Sequence, residues 1–137
     1  RLRLEQAERV RKEGMAFFPE ATLKSHLGPT THARRPGVVA WARQAQLQAD
    51  PLRVAKSLEA LAQRPDSTPL LPGISVPALV LVGEEDTLTP PAEARAMAVQ
   101  IPDSRMLILP EAGHLASREN PKAFNTALRG FLRELQV

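Results

Sequence analysis

Two short runs of uninterrupted apolar residues, Ala78-Leu79-Val80-Leu81-Val82 and Met106-Leu107-Ile108-Leu109, limit what this chain can fold into. A strand with one face in water alternates apolar and polar residues. A run without alternation fits a strand buried on both faces, as in a parallel sheet. Between the runs, Pro90-Pro91 open a helical pattern that puts Ala94, Met97, Ala98 and Ile101 on one face, and Pro102-Asp103 turn the chain. Residues 78–109 therefore read as a βαβ unit, with the parallel strands and right-handed crossover such units favour. Asn120-Pro121 cap a last helix whose Phe124, Leu128, Phe131, Leu132 and Leu135 are expected to pack inward.

Upstream, to about Asp66, the texture is helical. Leu4, Ala7 and Val10 recur at helical spacing and Gly14 is a stop. Pro19 opens a second helix with Leu23 and Leu27 on one side, closed by Gly28-Pro29. Pro36 begins a third that carries Val38, Val39, Trp41, Ala42 and Ala45. Asp50-Pro51, an N-cap followed by proline at the first helical position, begins a fourth with Val54, Ala55, Leu58, Leu61 and Ala62 inward. Pro69, Pro72 and Gly73 then punctuate a connector. The expected organisation is a helical region over 1–68 and a βαβα segment over 69–137, an α/β chain overall.

Composition removes several function classes. Hydrophobic residues make up 43% of the 137, enough for a packed core. The net charge is +3, and the densest basic cluster, Arg1, Arg3, Arg9, Arg11 and Lys12, alternates with Glu5, Glu8 and Glu13. That is a solvated helix face, so no nucleic-acid partner is expected. The absence of cysteine excludes disulfides and thiolate chemistry. No apolar run approaches the roughly 18–20 residues of a membrane span, and no signal peptide is visible, so a cytoplasmic protein without membrane partners is expected. The chain starts at Arg1 in an already helical pattern, which reads as a start inside something larger.

The chemistry is expected beyond the carboxyl ends of the strands, where open α/β sheets gather reactive groups. Asp86 lies three residues after Gly83, and His114 follows the second strand in Pro110-Glu111-Ala112-Gly113-His114. An aspartate against a histidine fixes the imidazole tautomer and lets the ring accept and return a proton. Gly113 is read as permitting the bend that aims His114 inward. Glu84 and Glu85 beside Asp86 lack a second ligand cluster, with His26 and His32 placed in the helical half, so no metal is expected. Met15, Phe17, Phe18 and Trp41 either line an acyl pocket or seal the helical cap onto the body. Thr89 is read as a helix N-cap.

The stretch VPALVLVGEED, then Thr89-Pro90, Gly113-His114, and Asn120-Pro121 with Phe124 and Phe131-Leu132, resembles the C-terminal end of α/β-hydrolase-fold enzymes. The helical half resembles their cap, and RVRKEGM and RPDSTPLLPGI resemble the enol-lactonase-like and carboxylesterase-like branches. The resemblance implies a partial α/β-hydrolase fold, with a helical cap before a parallel βαβ unit and a C-terminal helix. It implies Asp86 as the triad acid and His114 as the base of a serine hydrolase that cleaves small acyl esters or lactones without a cofactor. The family nucleophile sits in a G-x-S-x-G elbow, and the oxyanion donors come from the next residue and an early loop. Ser25, Ser57, Ser67, Ser75, Ser104 and Ser117 all lie outside such a motif. The chain is thus expected to be the C-terminal portion of a hydrolase, inactive alone, and to associate with itself or with an N-terminal half. The alternative is a non-enzymatic truncated remnant acting as an oligomeric or binding module.

Overall fold

The computed structural model describes residues 2–135, so Arg1 of the basic cluster lies outside the described residues. The chain divides into two compact units, Arg1–Leu23 with Ala40–Asp66, and Lys24–Val39 with Ser67–Val137.

In the first unit, α1 (Leu2–Glu13) packs against α5 (Pro51–Gln63). Ala7 and Val10, one turn apart, meet Ala55, and Met15 and Phe18 complete the core. Gly14, at φ 72°, ends α1 in a left-handed conformation that glycine adopts without strain, its N–H on the Val10 carbonyl at 2.9 Å. Asp50 caps α5 through the Arg53 N–H at 2.9 Å. Met15 and Phe18 are core and Phe17 packs against them, while Trp41 is 42% exposed. Leu61, expected inward, is 42% exposed. α2 (Phe18–His26) and α4 (Pro36–Leu47) each run across the division between the units.

The second unit holds the sheet. β1 (Ala78–Gly83) and β2 (Ser104–Leu109) pair in parallel, in register from Ala78 with Ser104 to Gly83 with Leu109. α6 (Pro91–Gln100) joins them and packs on both, burying Ala94, Ala98 and, just past its end, Ile101. α7 (Ala116–Glu119) and α8 (Pro121–Glu134) follow, with Asn120 capping α8 through the Ala123 N–H at 3.1 Å. Several features depart from expectation. α8 buries none of its residues, and Leu132 at 40% and Leu135 at 37% exposure do not pack inward. Gly28-Pro29 not only close α2 but open α3 (Pro29–Arg34), with Gly28 as N-cap and Pro29 at the first helical position. The strands are also less buried than an unbroken apolar run implies. Leu107 is 45% and Ile108 41% exposed, because two strands with α6 and α8 do not cover both faces. No helix among the described residues is long and apolar enough to cross a membrane.

Candidate active site

β1 and β2 end level with each other at Gly83 and Leu109, so their loops leave the same edge. The Glu84 N–H bonds the Leu109 carbonyl at 2.9 Å and the Glu85 N–H bonds that of Ala112 at 2.8 Å, lacing the loops together. A Cβ at Gly83 would overlap the carbonyl oxygens of Ala112 and Gly113. The loop that carries His114 thus lies against bare backbone.

Asp86 is 6% exposed, and every carboxylate lone-pair direction in use is accounted for. Its Oδ1 accepts the backbone N–H groups of Leu88 at 2.9 Å and Thr89 at 3.0 Å. Its Oδ2 accepts the Thr89 hydroxyl at 2.8 Å and faces His114 Nδ1 at 3.0 Å. Burial works to raise this carboxyl, but the hydrogen bonds from Thr89, His114 and Leu88 outweigh it and hold Asp86 below the ordinary carboxylate value. The structure therefore brings Asp86 and His114 together. Thr89, expected as an N-cap, belongs to the pair instead, and Pro90 takes the cap position of α6.

The His114 loop is held from outside by residues that local sequence patterns did not single out. Glu111 has φ 52°, an uncommon conformation for a residue with a side chain. Arg35 clamps it, donating to the Glu111 carbonyl and to its Oε2, both at 2.6 Å. Gly113 is needed for close approach rather than for a bend, since a Cβ there would strike the Gly28 backbone nitrogen. Glu119 is 2% exposed and accepts the Gly28 N–H at 2.7 Å and the Leu115 N–H at 3.0 Å, joining the segment before α3 to the residue after His114. Glu85 accepts the Thr30 N–H at 2.9 Å and its hydroxyl, so this carboxylate has a structural employment.

His26 was placed far from the carboxylates by sequence alone, yet its ring lies 6.1 Å from that of His114, with 29° between the planes. Burial first, and the His114 charge second, press the His26 imidazole below its ordinary value, with Asp86 opposing them. A histidine depressed in the fold takes its proton more readily in the unfolded chain. Stability is then lost as pH falls below the ordinary histidine value, and the loss grows until the folded ring protonates. Asp86 acts in a separate window, below the ordinary carboxylate value, where its protonation removes stability. Denaturant unfolding at pH 7.5 and pH 5.5 is expected to show a decline that His26→Gln reduces. An equal decline in the variant would refute the assignment to His26.

A trough of about 420 Å³ begins at this pair and is lined by residues 79–83 of β1 together with Met97, Asp86 and His114. Consecutive strand residues point to opposite faces, so a trough lined by five in a row runs along the strand's edge. Among the described residues β2 is the strand paired with β1, and the trough follows its other edge. Residues 53–137 match the α/β-hydrolase family described as TAP-like protein. The chain belongs to this α/β-hydrolase family. This hydrolase-family chain superimposes on a thermophilic esterase from Thermogutta terrifontis with TM-score 0.95 at 42% identity, covering 98% of the chain and 50% of the esterase. It superimposes on the enol-lactonase from Burkholderia xenovorans with TM-score 0.87 at 32% identity, over 95% and 49% of the two chains. It is 29% identical over 128 residues to 3-oxoadipate enol-lactonase 2 from Acinetobacter baylyi, covering 93% of the chain and 47% of the relative. The hydrolase-family chain therefore spans about half the length of these three proteins.

Proposed function

We propose that this chain supplies the acid and base of a serine-type ester or lactone hydrolase, and that another polypeptide segment supplies the nucleophile and oxyanion donors. The observation that carries the reading is the 3.0 Å contact between Asp86 Oδ2 and His114 Nδ1 at the level ends of two parallel strands. With Nδ1–H directed at Asp86, the other ring nitrogen is the base. It takes the proton of a serine hydroxyl as that oxygen attacks the acyl carbon, and returns it to the departing alkoxide. It then takes a proton from the water that releases the acid. The substrate class is a small acyl ester or lactone, in keeping with the esterase and enol-lactonases the chain resembles, and no step needs a cofactor. Residues 1–68 serve as the cap region and 69–137 as the core segment. The second segment seats along the open edge of β1, donated by the same polypeptide or by a separate chain, whereas a second copy of this chain seated there would bring no nucleophile elbow.

The test is complementation. The chain alone is expected to give no turnover of activated acyl esters that depends on His114. Mixed with the N-terminal half of the Thermogutta esterase, it is expected to form a complex and to hydrolyse them. Turnover by the chain alone, abolished by His114→Ala, would overturn the need for an outside nucleophile. The placement of all six serines outside a nucleophile elbow favours a second reading, a binding module without activity. That reading is supported if a folded complex forms and no turnover follows.

A further inference from the structure

Thr89 stands between the two members of the pair. Its hydroxyl oxygen lies 2.8 Å from Asp86 Oδ2 and 3.1 Å from His114 Nδ1, and those two atoms are 3.0 Å apart. Three polar atoms at mutual hydrogen-bond distance must share their protons consistently. A hydroxyl carries one proton and can accept, whereas an ionised carboxylate only accepts. An unprotonated Nδ1 facing Oδ2 would set lone pair against lone pair. One arrangement satisfies all three atoms. The Thr89 hydroxyl donates to Oδ2, and the Nδ1–H points between Oδ2 and the Thr89 oxygen.

We infer that Thr89 is a positioning residue, whose hydroxyl helps hold the Asp86 carboxylate and moderates the pull of the acid on the protonated His114 ring. Its value in catalysis rests on the function proposed above, but the triangle can be tested without turnover. The moderation follows from competition for Oδ2. While the hydroxyl donates to that oxygen, less of its charge acts on Nδ1–H. Removing the hydroxyl leaves Oδ1 on the backbone N–H groups of Leu88 and Thr89, so the carboxylate stays in place. Oδ2 then has the imidazole as its remaining partner in the triangle, and the protonated ring is favoured. The other titratable groups around His114 are the same in every variant: His26 on α2, Glu119 on α7, and Glu85, held by Thr30. Thr89 is exposed, so its substitution disturbs little packing.

The experiment is nitrogen-detected NMR of the full chain with labelled histidine, titrated from pH 8 to pH 4, for the natural protein, Thr89→Val and Thr89→Ser. The neutral His114 ring is expected as the Nδ1–H tautomer in the natural protein. Thr89→Val should raise the proton affinity of His114 by roughly three- to tenfold, with the neutral ring kept as the Nδ1–H tautomer. Thr89→Ser keeps the hydroxyl and should titrate as the natural protein does. A purely packing role predicts the opposite sign, because a loosened pair weakens the hold of Asp86 on the imidazolium. A lowered or unmoved midpoint in Thr89→Val, or equal shifts in both variants, would overturn the inference. Failed complementation with these shifts intact would remove the catalytic reading and leave the positioning role standing.

Discussion

His114→Ala is expected to lower kcat/KM of the complemented hydrolase by about 10⁴- to 10⁶-fold, with KM changing little. In the proposed function this ring takes the proton of the serine hydroxyl. Without it the serine oxygen attacks as an alcohol, and the leaving alkoxide departs unprotonated. Both barriers rise, and what remains comes from the oxyanion donors and binding. Asp86→Asn is expected to cost about 10⁴-fold by a different route. The amide keeps the size of the acid, but it can present N–H to Nδ1 and so favour the wrong tautomer. It also removes the charge that stabilises the imidazolium. The two variants should therefore differ in pH dependence. Asp86→Asn retains an imidazole that must be neutral to act as base, so its residual activity should rise with pH, whereas His114→Ala, lacking the ring, should stay low throughout. Steady-state kinetics on one activated ester from pH 6 to pH 9 decide it. Full activity of His114→Ala would end the assignment of the base.

What the sequence made legible was whatever depends on neighbours a few residues away. Asp50-Pro51 and Asn120-Pro121 announce helix starts because a cap bonds an N–H three residues on. The apolar runs at 78–82 and 106–109 announce strands, and the pairing of their ends puts Asp86 beside His114. What stayed hidden depends on partners distant in the chain. Glu119 binds Gly28, 91 positions away, and Arg35 binds Glu111, 76 away. Acceptance of a remote backbone N–H leaves no periodic trace. Gly28-Pro29 reads equally as a stop and a start, so α3 was missed. His26 lies at the end of α2, and its carbonyl accepts the Leu115 N–H at 3.3 Å, a bond between distant positions that brings it to His114. One local signal was available for Thr89. A threonine three residues after an acid can bond that acid through both its N–H and its hydroxyl, whereas a pure N-cap role uses neither bond.

Glu119→Ala is expected to destabilise the second unit by about 1–3 kcal/mol. Glu119 is a buried carboxylate that satisfies two backbone donors, the N–H groups of Gly28 and Leu115. Its removal orphans the buried Gly28 N–H, at a cost of about 1–3 kcal/mol, while the Leu115 N–H keeps the His26 carbonyl at 3.3 Å. Water cannot readily replace the carboxylate, since Gly28 is buried and its backbone lies against Gly113. Glu119→Gln separates charge from hydrogen bonding. The amide oxygen keeps one acceptor, but its NH₂ opposes the other N–H, so this variant should lose most of the same stability. Against a typical domain stability of about 5–15 kcal/mol, the chain stays folded while its weakest joint opens. That joint connects residues 26–30 to residues 113–115, so opening should free the His114 loop before the sheet. Denaturant unfolding should show a lower midpoint with an unchanged slope. Hydrogen exchange should quicken most at Gly28 and Leu115, while the β1–β2 amides exchange only with global unfolding. Uniform acceleration across both strands would show that Glu119 supports the whole unit rather than the loop that aims the base.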